Sequence, residues 1–194
     1  MLLDDLMPVF DATRIEHRVI DGEPDAVHRA VLGADFVRAW RDSRVVRLLF
    51  AARSSAERVS ARVRGREHAE PPPPDSLRLA DMPTRGQWVR LGDDAPHEIA
   101  FGAVGRFWAG GTAWREIEAA EFRDFAEPGF ARIGCNFSLR PYGGGRTLVS
   151  YEARTHATDP GSRRAFLRYW SVVSIGVGIV MRSQLRVIAR EASA

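Results

Sequence analysis

The amino-acid sequence predicts an α+β fold: a curved antiparallel β-sheet gripping a long C-terminal α-helix, with two short helices after the first strand. Three observations support this. Residues 13–20 alternate between apolar and polar types, further alternating segments separated by glycine and proline follow between 87 and 157, and residues 159–191 have helical periodicity. The 194 residues suit one domain with a sizeable core. We therefore expect a single domain over 1–194, with an N-terminal extension over 1–10.

The opening strand is predicted from residues 13–20. Ile15, His17 and Val19 share one face, and charged residues occupy the other, which is the period of a half-buried strand. Pro24 suits the first position of a short helix that follows. A second helical stretch is predicted from about 42 to 59 on its apolar spacing.

The segment 65–76 carries four consecutive prolines, Pro71 to Pro74, and is predicted to be an extended loop. Such a run could dock a proline-binding partner. A spacer between the helices and the sheet is the favoured interpretation, because the flanks are short and polar.

The sheet is predicted from strands near 87–91, 97–108 and 112–117, and from a hairpin over 131–155 that turns at Gly143 to Gly145. Residues 118–129 are predicted to form a helical or irregular excursion. Along the hairpin, apolar residues alternate with polar ones. This pattern favours an antiparallel sheet with one buried and one solvated face.

The C-terminal helix is predicted to start at Asp159, a good N-cap, with Pro160 next. One face carries Phe166, Trp170, Val173, Val177, Met181 and Ile188, and the opposite side carries Arg164, Arg168, Arg182, Arg186 and Arg190. A continuous helix would be roughly 50 Å long in a domain ~40 Å across, so we expect a bend at Gly176 and Gly178. Val172, Ile175 and Ile179 point outward and need cover from a loop, a second subunit or a ligand.

Composition argues against several classes of protein. The single cysteine and the absence of an export signal favour a cytoplasmic location. The apolar stretch 172–181 is too short for stable membrane insertion. The isoelectric point of 9.7 reflects arginine without lysine at a net charge of only +3, so nucleic-acid binding is not predicted. The five histidines lack metal-ligand spacing, and neither a metal nor another cofactor is expected.

The order of elements resembles the START-like (SRPBCC) helix-grip superfamily, which includes polyketide cyclases, aromatase/cyclases, pathogenesis-related ligand carriers and lipid-transfer domains. The resemblance rests on the strand exit 20–27, Phe107-Trp108 before a glycine turn, the hairpin 141–147 and Thr158-Asp159-Pro160. It covers nearly the whole chain from about residue 10. The long region 42–76 and the 118–129 insertion suggest a bacterial branch. The superfamily has no universal catalytic motif, so no catalytic residue is carried over.

The resemblance implies an apolar cavity between the sheet and the terminal helix, holding a hydrophobic small molecule such as a lipid, a polyketide or an aromatic compound. The candidate ligand-binding residues are Ile15, His17, Phe101, Phe107, Phe137, Tyr151, Thr155, Trp170, Val173 and Val177. Each of these side chains, taken alone, is more often a core residue than a ligand contact.

Two alternatives to simple binding remain open. A cyclase or dehydratase would need polar groups that converge in the cavity, and His17 with Tyr151 is the candidate catalytic pair. The competing interpretation of His17 is a core histidine bonded to Tyr151 or to a backbone carbonyl. Alternatively, the apolar patch of Val172, Ile175 and Ile179 would make the chain a homodimeric protein–protein adaptor.

Overall fold

The computed structural model describes residues 1–37, 76–108 and 113–193. The helical stretch predicted over 42–59 and the proline run of the predicted loop lie outside the described residues. The described part contains eight strands and three α-helices, and their order matches the prediction except for three features: a short N-terminal helix, the strand Arg85–Gly86, and the division of the predicted strand 112–117 into two.

All pairings in the main sheet are antiparallel. Its strands are β1 (Ala12–Asp21), β3 (Trp88–Asp94), β4 (Glu98–Arg106), β5 (Ala113–Arg115), β7 (Ala131–Pro141) and β8 (Arg146–Ala157). The order across the sheet is β1-β8-β7-β4-β3, and β5 pairs with β4. Two short strands, β2 (Arg85–Gly86) and β6 (Ile117–Glu118), form a separate pair.

The hairpin between β7 and β8 turns where the sequence predicts. Gly143, Gly144 and Gly145 adopt φ angles of 80°, 61° and 67°. Residues that carry a Cβ rarely adopt this left-handed backbone conformation, so three consecutive glycines allow the tight reversal. The longest register of the sheet follows from it, from Pro141↔Thr147 to Ala131↔Ala157.

The helices are α1 (Leu2–Leu6), α2 (Pro24–Gly33) and α3 (Pro160–Ala192). The carboxylate of Asp159 caps α3 by accepting hydrogen bonds from the backbone of Gly161 and Ser162 and from the Ser162 hydroxyl. These bonds, with a further one from the Gly129 backbone, hold the pKa of Asp159 well below its usual range. α3 continues as one α-helix through Gly176 and Gly178, where a bend is predicted.

The main core lies between the sheet and the two helices α2 and α3, so the curved antiparallel sheet grips the long C-terminal helix in a helix-grip arrangement. Its buried side chains come from the sheet, from α2 and from α3. They include Ile20, Val27, Val31, Ile99, Phe101, Phe137, Leu139, Val149, Met181, Leu185 and Ile188. By length and apolar composition alone, α3 would also be able to cross a membrane, as core helices often would.

Part of the opposite face of the sheet, on β3, β4 and β7, is covered as well, so the prediction of a solvated face is wrong there, although the β1 edge of this face is exposed. Leu3 and Met7 of the N-terminal segment pack there against Val89, Val104 and Phe122 in a second core. The fit is close, because a Cβ on Gly134 of β7 would lie 2.5 Å from the Met7 sulfur. Residues 2–7 of the predicted N-terminal extension therefore pack as a layer against the sheet, whereas residues 8–10 are exposed.

Four buried polar residues of this face, Glu98, Asn136, Glu152 and Arg154, bond to one another or to the N-terminal segment. Glu98, 4% exposed, accepts hydrogen bonds from the Leu2 and Leu3 amides and from Asn136. Arg154 donates to Glu152 at 2.7 Å and to Asp4 at 2.7 Å. Alternation alone indicated polar side chains in water, but satisfied hydrogen bonds make their burial tolerable.

Candidate functional site

A continuous row of aromatic rings runs along the side of the sheet that faces α3. Successive ring centroids are 4.3 to 6.2 Å apart, within the range of favourable aromatic contacts. In order, the rings are Phe36, Phe137, Tyr151, Phe101, Trp88, Trp114, Phe107, Trp108, Phe166 and Trp170. The row connects the α2 end of the core to the first turns of α3.

Near the middle of this row, two apolar side chains on the inner face of the sheet are incompletely buried. Ile133 on β7 and Ala153 on β8 belong to central strands and face α3, yet both are only partly buried. Inward side chains on central strands lose all contact with solvent when a helix packs closely over them. The neighbouring Phe137 and Tyr151 do so, at 0% and 7% exposure. We refer to the region around the partly exposed Ile133 and Ala153 as the central gap.

The helix side of the central gap is also incompletely covered. Trp170, Val173 and Val177 of α3 are each partly buried. Trp88 and Trp114, their counterparts at the sheet edge, are partly buried too. The walls of the central gap are therefore mainly aromatic and aliphatic, the surface type that holds apolar ligands.

The deep side of the central gap carries two polar groups that stay uncharged. Burial raises the pKa of the Cys135 thiol to about 12, although its hydrogen bond with Tyr151 opposes the shift. Burial also raises the pKa of Tyr151 well above its usual value, and the thiol adds to the effect. Since both groups remain protonated at neutral pH, this surface has no negative charge.

An ion-pair network borders the central gap on the β1 side. Glu16 accepts hydrogen bonds from Arg14 Nε at 2.8 Å and from Arg182 Nη1 of α3 at 2.6 Å. Burial raises the pKa of Glu16, but the two guanidinium groups outweigh it and the net shift is downward. Arg14 is the strand partner of Ala153, so this cation lies directly beside the central gap.

The prediction that Ile15 and His17 face α3 is wrong. The register pairs Glu16 with Tyr151 and Ile15 with Glu152, which directs odd-numbered β1 residues to the opposite face. Ile15 is 43% exposed, and His17 is exposed with Nδ1 2.8 Å from the Ser150 hydroxyl. His17 and Tyr151 therefore lie on opposite faces of the sheet and do not form a catalytic pair.

The other predicted positions lie on the inner side. Phe101, Phe107, Phe137, Tyr151 and Thr155 are buried on it. On α3, Trp170 and Val177 pack against the core while Val173 is partly buried. Whether any of them contacts a ligand stays a prediction.

The sequence analysis missed Trp88, Trp114, Ile133 and Ala153 as site residues. Trp88 pairs with Ala103 and Trp114 with Gly105, which places both tryptophans on the face of Phe101 and Phe107; this register is set by the fold rather than by alternation within one strand. The exposure of Ile133 and Ala153 has no sequence signal either, because it depends on how α3 packs on the sheet.

Two surface clefts formed by described residues lie away from the central gap. A cleft of about 400 Å³ is bordered by Arg115, Ile117 and Phe125, and one of about 510 Å³ lies between β1 and the end of α3, at Arg18 and Arg186. Within the described ranges, no cluster of three or more metal-ligating side chains occurs.

Comparison with known proteins shows no matching family model and no match among curated proteins. Among solved structures, the chain is similar to a protein from Arthrobacter aurescens, with 12% identity and a TM-score of 0.37 over 93% of this chain and 86% of that one. It is also similar to the Zhui aromatase/cyclase from Streptomyces sp. R1128, with 10% identity and a TM-score of 0.31 over 94% and 93% of the two chains. A third is the di-domain aromatase/cyclase StfQ from the steffimycin biosynthetic pathway, with 8% identity and a TM-score of 0.35 over 94% and 52%. Likeness at this level carries no argument about ligand or activity.

Proposed function

We propose that the chain binds a hydrophobic small molecule, such as a lipid, a polyketide or an aromatic compound, in the central gap. The observation that supports this most directly is the partial exposure of Ile133 and Ala153 on the inner face of central strands. Exposed apolar surface inside a fold is costly in water, and an apolar ligand would remove that cost.

The chemistry of the walls narrows the ligand class. The rings of Trp88 and Trp114 are in tilted contact, with centroids 5.6 Å apart, and both residues are partly exposed at the edge of the gap. Flat aromatic or polycyclic compounds gain from contact with such rings beyond the area they bury. Arg14 is the charged donor beside the gap, so a ligand with an apolar body and one oxygen acceptor fits best.

No reaction is assigned. A cyclase or dehydratase needs polar groups that meet at the ligand, and the pair considered first, His17 and Tyr151, is divided between the two faces of the sheet. Tyr151 and Cys135 are held protonated, which suits hydrogen bonding to a ligand better than proton abstraction. Replacing His17 by alanine is expected to leave ligand binding unchanged.

The first experiment is native mass spectrometry of the purified protein, which should show a bound mass that is lost on denaturation. The second is a titration with an anthracene-type probe, followed by quenching of tryptophan fluorescence. Ala153→Leu places a larger side chain in the gap and should weaken probe binding about tenfold or more. Ala26→Leu makes the same change at a partly buried position of α2 and is the matched control.

The two variants give different results if the ligand binds in the central gap than if it does not. Loss of probe affinity in Ala153→Leu with retention in Ala26→Leu supports binding in the central gap. Equal affinity in the two variants, or a wild-type protein that neither carries a ligand nor quenches with the probe, would contradict it.

A further inference from the structure

The outward side of α3 has an apolar centre that the described residues, 1–37, 76–108 and 113–193, leave exposed. Val172 and Ile175 are 77% and 70% exposed, and Ile179 is partly exposed. At about 100° per residue, these three positions lie within roughly 60° of one another around the helix axis. They form one patch in the middle of α3, away from the sheet.

Arginines extend this patch in both directions along the helix. Arg164 and Arg168 precede it and Arg186 follows it, all exposed and all within about 80° of the same side. These three arginines form no ion pair in the part of the chain that the structure describes. Residues 160–190 contain neither aspartate nor glutamate. We call the surface from Arg164 to Arg186 the outer strip of α3; it is about 33 Å long at 1.5 Å per residue.

From this arrangement we propose that the outer strip docks on the surface of an anionic lipid bilayer. The helix lies parallel to the membrane, Val172 and Ile175 enter the boundary between headgroups and acyl chains, and the arginines contact lipid phosphates. An apolar centre with flanking cations is the pattern that binds to a bilayer interface. The proposal does not depend on a ligand in the central gap.

The charges of the outer strip argue against the homodimer considered above. Two copies that meet through this surface around a two-fold axis bring arginines against arginines, and the strip supplies no carboxylate to neutralise them. Nucleic acid would satisfy the arginines but would gain little from Val172 and Ile175. Anionic lipid satisfies both the charged and the apolar part of the surface.

The test is cosedimentation of the full chain with vesicles. We expect binding to vesicles of phosphatidylcholine with about one third phosphatidylglycerol, at least tenfold weaker binding to pure phosphatidylcholine, and a decrease in binding as salt is raised. The double variant Val172→Ser/Ile175→Ser removes the apolar centre, and Arg164→Gln/Arg168→Gln removes two cations. Each should weaken binding about fivefold or more.

The matched control is Val9→Ser/Arg29→Gln, which removes one exposed apolar residue and one exposed arginine from other surfaces. It should bind vesicles like the wild type. Circular dichroism of all variants verifies that α3 is intact.

Insertion of the apolar centre into the bilayer interface is tested directly by Ile175→Cys carrying an environment-sensitive dye, whose emission should shift to the blue with anionic vesicles. Cys135 is buried and should not take up the label in the folded protein.

Several results would overturn the proposal. These are no binding to anionic vesicles, equal binding to neutral vesicles, or equal loss of binding in the control variant. Sedimentation that shows a dimer abolished by Val172→Ser/Ile175→Ser would assign the strip to a second copy instead. Vesicle binding that fails while the fluorescent probe still enters the central gap would reject the docking surface alone.

Discussion

Arg14 and Gly178 are in contact where β1 passes beneath α3. A Cβ built on Gly178 would lie 2.6 Å from Nη2 of Arg14 and 2.8 Å from its Cζ and Nε. The guanidinium therefore occupies the space that any other residue at 178 would fill. The same group donates to Glu16, which also binds Arg182, so strand and helix are joined by one ion-pair network.

This contact gives the first prediction. Glycine in a helix interior costs about 1 kcal/mol relative to alanine, so Gly178→Ala on its own should favour α3. In the native protein, however, the new methyl group has to displace the Arg14 guanidinium from Glu16, so we expect this gain to be reduced or lost. In an Arg14→Ala background the same change should raise the free energy of unfolding by up to about 1 kcal/mol. Urea unfolding of the four proteins tests this, and an equal effect of Gly178→Ala in both backgrounds would count against the contact.

The second prediction concerns the pH dependence of stability. The folded-state pKa of Glu16 is below its ordinary value of 4.5, so its ionised form stabilises the fold above about pH 4.5. This contribution is lost as the pH falls through the folded pKa. The wild type should therefore exceed Glu16→Gln in unfolding free energy at neutral pH, and the difference should shrink as the pH is lowered below 4.5. Denaturant titrations across that range measure it; a difference independent of pH would refute the assignment.

Much of the fold could be predicted because its signals are local. Turn glycines at 143–145, a proline after an N-cap at Asp159 and long alternating segments each fix structure within a few residues. The face that β1 presents to α3 could not be predicted in this way. Both alternating sets of β1 contain apolar and charged residues, and the choice depends on the bond between Glu16 and Arg182, 166 residues apart.

The second core escaped prediction for a similar reason. α1 has only five residues, too few to show a periodicity, and the polar side chains that bind it, Glu98 and Arg154, are distant in the sequence. The central gap had no sequence signal either. Strand alternation predicts that Phe101, Phe137 and Tyr151 face the core. It does not predict the space beside them, which depends on the distance between the sheet and α3.

The third prediction compares two residues on the inner face of β7. Phe137 is fully buried, so Phe137→Ala should cost about 3–5 kcal/mol of unfolding free energy. Ile133 borders the central gap and is partly exposed, so Ile133→Ala should cost less than about 2 kcal/mol, because fewer contacts are lost. Chemical denaturation of the two variants decides the question. If Ile133→Ala is as costly as Phe137→Ala, side chains fill the space and the gap does not exist.

The last prediction tests whether residues 2–7 are a structural layer. Arg154 is 8% exposed, donates to Glu152 and Asp4, and also donates to the Met7 carbonyl at 3.1 Å. Arg154→Ala leaves Glu152 buried without its cation, which should cost about 3–5 kcal/mol. It should also release the N-terminal segment, so that the backbone amides of residues 2–7 exchange hydrogen faster than in the wild type.

The matched control is Arg85→Ala, which breaks the surface pair between Arg85 and Glu118, 75% and 55% exposed. Exposed pairs contribute about 0–1 kcal/mol, so the control should unfold close to the wild type. Slow exchange at residues 2–7 in Arg154→Ala would show that Glu98 and the apolar contacts of Leu3 and Met7 hold the segment without the arginine.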